Sequence, residues 1–187
     1  MAGAWTNNWE AIKRIVATNK ASAGTLINTG GGQVTTDPAT NYIAKPSMPM
    51  DNVSGNSNGG AGLVALRIGG EQSSVTPSAS DYNIYGPITS GITYVNVTNG
   101  TITYDTETGI AERTDSVTIQ NTAAGAKTVY EWGLFGTYRA ASGSSYNDIA
   151  FLLYRGTLDT PVTLQQFETI TITFTRRMQL DVPNSGT

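Results

Sequence analysis

Five acids, Asp105, Glu107, Asp115, Glu131 and Asp148, are the residues of this chain best able to do chemistry. Two carboxyls held about 5 to 9.5 Å apart across a cleft would serve a glycosidase. Most of these acids sit in or beside turn-like sequence, where carboxylates are ordinarily solvated, and spacing along the chain does not by itself show two of them meeting. The stretch DTETG at 105–109 alternates acids as a calcium loop does. It lacks the third acid, the glycine at the sixth position and the glutamate at the twelfth that such a loop needs, so it reads as the turn of a hairpin. The glycine-rich run at 54–62 carries no Gly-Lys-Ser or Gly-Lys-Thr and does not cradle phosphate.

What is missing narrows the chemistry further. The chain has no cysteine and no histidine. That removes disulfides, thiolate and Ser-His-Asp nucleophiles, and nearly every zinc, copper or non-haem iron site. The expectation is a non-enzymatic protein with no catalytic residue, cofactor or metal. Charged residues make up 13% of its 187 residues, about half the roughly 25% usual for a soluble domain. A surface of Thr, Ser, Asn and Gly costs little to desolvate and suits a subunit that is covered by its neighbours. With a net charge of −3 and no basic run, nucleic acid is not an expected partner. No stretch reads as a secretion signal or a membrane span, so the expected place of synthesis and assembly is a cytoplasm.

The elements that must position these residues begin with one helix. Asn7 can cap it and Glu10 follows at capping-box distance, with Trp5, Trp9, Ile12 and Val16 on one side at helical spacing and an end near Thr18 to Lys20. Those four could dock on a partner or pack on the protein's own body. From 29 to 62 the chain is rich in Gly, Asn, Ser, Pro and Thr, too long for an ordinary loop. It reads as an extended arm, which makes residues 1–62 an attachment region and 63–187 the body.

After residue 62 the signals are strands. LVALRI at 63–68, a hairpin over ITYVNVTNGTITYDTE turning at Asn99 and Gly100, then 115–121, 127–135, 149–155 and 168–176 make about seven. With no helix between them, their apolar faces must meet each other, which predicts a mainly β chain folded as an antiparallel, jelly-roll-like sandwich. In KTVYEWGLF, alternation puts Val129 and Glu131 on the core side and Tyr130, Trp132 and Leu134 on the other, so a buried Glu131 needs Arg155 or Arg139 as partner. Trp132 is expected beneath the arm or a neighbouring subunit; left exposed with Tyr138 and Tyr146, it would stack on a sugar ring of a host surface glycan. The last strand, ETITITFTRR, alternates Ile170, Ile172 and Phe174 with threonines. Its Thr171 and Thr173 face is a flat uncharged surface for contact with a sister subunit.

Three segments, LRIGGEQSSVTPSASDYNIYGPI at 66–88, TVYEWGLFG at 128–136 and FLLYRGTLDTPVTLQQFETITITFTRRM at 151–178, resemble in content and order a pattern of small structural proteins of tailed bacteriophages. The resemblance covers about two thirds of the chain, from Leu66 onward. It departs at Trp132, where the pattern has a small aliphatic residue, and at Gln166 and Phe167, where it has a glycine turn. It implies a virion component of the neck, tail, fibre or capsid exterior, a capsid decoration protein included, with a β-sandwich body and no catalysis. The implied partners are copies of itself and other virion proteins.

Overall fold

The computed structural model describes residues 3–18, 26–34, 50–55, 64–72, 74–142 and 145–179, the side chains of 15–18, 34, 138–142 and 145–149 excepted. In chain order the elements are β1 (Gly3–Trp5), α1 (Asn7–Thr18), β2 (Leu26–Ile27), β3 (Gln33–Val34), β4 (Val53–Ser54), β5 (Val64–Gly69), β6 (Ile92–Asn99), β7 (Thr103–Asp105), β8 (Ile110–Asn121), β9 (Lys127–Ser142), β10 (Ser145–Leu164) and β11 (Thr169–Gln179). The protein is mainly β, and of its described strand pairs only β4 with β5 is parallel.

Two sheets carry the fold. The larger runs β1-β10-β9-β5-β4 and the smaller runs β11-β8-β6, with β7 also paired to β8. One core cluster joins them: Val117 and Ile119 of β8 and Ile172 and Phe174 of β11 pack with Leu66, Ile68, Trp132, Leu134 and Leu153 of the larger sheet. The alternation of β11 is the cause on its side, since Ile172 and Phe174 are buried while Thr171, Thr173 and Thr175 are exposed. On the far face of the larger sheet Ala65, Phe135 and Leu152 pack beneath Ile84, which comes from the long loop after β5.

The helix begins at Asn7, the residue expected to cap it, one residue earlier than expected. Thr6 takes that place, and its hydroxyl donates to the Leu152 carbonyl at 2.6 Å, tying the helix to β10. Trp9 and Ile12 belong to the same core cluster as the sheets, and β4 is a strand of the larger sheet. Residues 35–49 and 56–62 of the expected arm lie outside the described residues.

The hairpin expected at Asn99 and Gly100 does not form. Asn99 pairs with Asp115 and Thr103 with Glu112, so β6 and β7 follow one another along the same side of β8 as a single interrupted strand. A Cβ on Gly100 would stand 2.2 Å from the Thr114 carbonyl oxygen, which makes this glycine a point of close strand approach rather than of reversal. Reversal comes at DTETG. Asp105 Oδ1 accepts from the N–H groups of Glu107 and Thr108 at 2.8 and 3.2 Å, and Gly109 adopts φ +68°. Those bonds hold the Asp105 carboxyl below its ordinary range, the Thr108 side-chain bond being the largest cause.

Candidate assembly face

The outer side of the smaller sheet is built from hydroxyls. Register sets Thr171 opposite Thr118, Thr173 opposite Ser116 and Thr175 opposite Thr114. Two of these pairs close side-chain hydrogen bonds, Thr118 with Thr171 at 2.9 Å and Thr114 with Thr175 at 2.8 Å. On β6, Thr93 and Thr98 continue the surface opposite Gln120 and Ser116. The first charges along β11 and β8 on this side are Arg177 and Glu112, which pair with each other at one end. The face is thus uncharged and mostly polar, with Val95 exposed at the irregularity of β6, and its hydroxyls partly satisfy one another. Thr171 and Thr173 both lie on it, exposed.

Buried charge holds the rest of the body in shape. Glu131 and Arg155 face each other from β9 and β10, both fully buried; Arg155 Nε and Nη2 donate to Glu131 Oε2 at 2.8 and 2.7 Å. Glu131 Oε1 accepts the Tyr85 N–H, Arg155 Nη1 donates to Asp81 at 3.0 Å, and the Arg155 guanidinium lies 4.6 Å above the Tyr85 ring. The loop carrying Ser78 to Tyr85 is therefore pinned to the larger sheet by the Arg155–Asp81 ion pair and the Tyr85 bond to Glu131. Despite desolvation, the Glu131 and Asp81 bonds hold Arg155 above its ordinary pKa. At the other end of the core Asp115 takes Arg113 and Arg176, which also donate to the Met50 and Asp51 carbonyls and so fasten the approach to β4.

These networks dispose of the carboxylates. Asp115 and Glu131 are committed to arginines, Asp105 and Glu107 sit in an exposed turn, and the Asp148 side chain lies outside the described residues. The expected partnership of Glu131 with Arg155 is present; Arg139 is among the residues whose side chains are not described. Among the described residues no group of three or more acids could hold a metal ion.

The aromatic residues form a row across the chain's own elements. Phe174 lies 5.5 Å from Trp132, Trp132 is 4.9 Å from Tyr154, Tyr154 is 5.0 Å from Trp5 in an edge contact, and Trp5 stacks on Trp9 at 4.2 Å. This corrects the placing of Trp9, Ile12 and Trp132 at an interface. Trp9 is 2% exposed, Ile12 0% and Trp132 3%, because the core needs their apolar area. Trp132 therefore offers no ring face to a sugar. Trp5 is half-buried on Trp9, and the Val16 side chain lies outside the described residues, as do those of Tyr138 and Tyr146.

Alternation failed for Trp132 at a register break. Thr157 pairs with Glu131 and Val162 with Val129, so β10 inserts extra residues opposite Tyr130, and Val129 and Trp132 share the core despite their odd and even numbers. Phe167 was missed as a surface feature. It is 66% exposed and adopts φ 68°, a left-handed conformation that costs a residue with a Cβ about 1 kcal/mol or more. The signal was its place where a glycine turn was expected.

Fold and face together define a mainly β protein whose smaller sheet presents an extended uncharged hydroxyl surface. Compared with family models, with curated proteins and with solved structures, the chain matches none.

Proposed function

We propose that this chain is a non-enzymatic structural subunit of a tailed-phage virion, a repeated component of its neck, tail, fibre or capsid exterior, whose two sheets form a β-sandwich body. The observation that carries the reading is the threonine and serine face of β11 and β8, large, exposed and without charge between residues 169 and 175. Charged side chains on a contact surface must be desolvated at a cost of several kcal/mol each, whereas hydroxyls already bonded to one another lose less. The same face belongs to the segment through which the chain resembles phage structural proteins. Burial of Trp132 removes the residue on which glycan binding would have rested.

The test is incorporation. A tagged chain, supplied to bacteria in which the phage encoding it is replicating, should be recovered in gradient-purified particles. Its complete absence from such particles, with the protein soluble in the same cells, would overturn the reading.

A further inference from the structure

The larger sheet extends past the smaller one on the β11 side. Phe174 of β11 packs over Trp132 of β9, and in sheet order β10 and β1 lie further out. Beside β11 this overhang leaves a cleft of about 260 Å³, floored by Trp5, Trp132, Leu134 and Tyr154 and walled by Thr173 to Thr175. A strand paired to the outer edge of β11 would lie above that floor.

Among the described residues the edge is open for such a strand. Asn121 N–H donates to the Glu168 carbonyl, so in the alternation of an antiparallel ladder the even-numbered residues of β11 bond to β8. Thr171, Thr173 and Thr175 then point their N–H and C=O groups away from β8, and among the described residues no strand pairs with that side. Edges of this length are normally shortened, covered or charged. Trp132, part of the cleft floor, also has a buried indole N–H with no acceptor among the described residues.

We propose that this edge and cleft receive an extended segment of a second copy of the chain, which adds a strand to the smaller sheet and covers Trp5 and Tyr154. The inference rests on the reading of the chain as a self-assembling subunit. Two intact bodies do not fit edge to edge, because β1 and β10 of one copy occupy the layer that β10 of the other would need. The incoming strand must therefore come from a part of the copy that is not layered on its own sheets. Its chemistry is set by the site: no charge lines the cleft or the open edge from 169 to 175, and the chain is itself unusually poor in charge. The ring faces of the floor are engaged with each other, which favours a strand's aliphatic and backbone groups over a stacked sugar.

The absence of cysteine allows a single-site test. A photo-crosslinker on Thr171→Cys in the full chain should give a covalent dimer, and mass spectrometry should map the link to one segment outside the sheets. Thr173→Pro removes an N–H from the open edge and leaves the ladder to β8 intact, so self-association measured by light scattering should weaken about tenfold or more, with melting temperature little changed. If that variant does not fold, Thr175→Pro serves in its place. Dimers that form equally well in the proline variant, or whose links reach the threonine face but no segment outside the sheets, overturn the strand and leave self-assembly standing. A chain that stays monomeric in solution yet enters particles shows that another virion protein supplies any strand, and overturns the second copy. Failure in both solution and particles removes this inference together with the reading beneath it.

Discussion

Arg155 directs two of its donors, Nε and Nη2, at the single Oε2 oxygen of Glu131, at 2.8 and 2.7 Å, with both side chains sealed from solvent. The pair links β9 to β10, and through the other Glu131 oxygen and Asp81 it also holds the loop after β5. An ion pair placed so is structural.

Removing one partner leaves the other charge buried and uncompensated. Arg155→Met should destabilise the fold by roughly 3–5 kcal/mol, and Glu131→Gln somewhat less, since the amide still accepts a bond. The double variant Glu131→Gln with Arg155→Met should cost clearly less than the sum. Denaturant midpoints of the parent and the three variants close the cycle; strict additivity would show that the two side chains do not act together.

Trp132 makes a sharper distinction. Its 3% exposure and its contacts with Tyr154 and Phe174 predict that Trp132→Ala costs about 3–5 kcal/mol, as other large core truncations do. Thermal melting checks this. A variant that melts within a degree or two of the parent would mean that the indole is not a core side chain.

Tyr94 gives the fold a dependence on alkaline pH. Its hydroxyl donates to the Leu66 carbonyl at 2.6 Å, and burial, only partly offset by Arg67, pushes its pKa up to about 12 from an ordinary 10.0. Below pH 10 both folded and unfolded chains keep the proton and the contribution is complete. Between about pH 10 and 12 only the folded chain keeps it, so stability should fall across that window by on the order of 2 kcal/mol from this group. Urea midpoints at pH 9 and 11.5 should show a smaller decline in Tyr94→Phe than in the parent.

How much of this was legible in the sequence depended on whether side-chain period alone decided the matter. The period of two placed β11 correctly, with Ile172 and Phe174 inward and threonines outward, because one face of that strand is buried and the other is not. The need of a buried Glu131 for Arg155 also followed, since an unpaired buried carboxylate is too costly. Trp132 did not follow, because β9 and β10 lose register between Val129 and Glu131, where Val129 and Trp132 both turn to the core, and such breaks leave no mark in residue pattern. The dipeptide Asn99-Gly100 suggested a turn because Asn-Gly tolerates positive φ. Here it serves two other needs: Asn99 Oδ1 accepts the Val53 N–H at 2.7 Å, and Gly100 admits the Thr114 carbonyl.

Gly100 therefore tolerates no side chain. Gly100→Ala places a methyl against a backbone oxygen that cannot swing away, and should cost about 1–3 kcal/mol, whereas an alanine in a relaxed turn would cost less. Gly125, with nothing within 4 Å of its would-be Cβ, is the internal control, and Gly125→Ala should leave the melting temperature nearly unchanged.

The threonine face yields the prediction that bears most directly on function. Thr171 and Thr173 stand on the exposed side of an edge strand, so lysines there meet solvent in the isolated chain and should leave its melting temperature within a few degrees of the parent. One contact is lost, the 2.9 Å bond between Thr118 and Thr171, and exposed bonds of that kind contribute little. In an assembly the same two ammonium groups would be taken out of water against an uncharged neighbour, at a cost that rises with every repeated contact. Thr171→Lys with Thr173→Lys should therefore fold normally and enter particles at no more than about a tenth of the parent's level, a loss of at least ~1.4 kcal/mol per contact. Quantitative mass spectrometry of purified particles reads that ratio. Incorporation equal to the parent's would show that the face stays in solvent, and the surface through which the chain assembles would then have to lie elsewhere on the body.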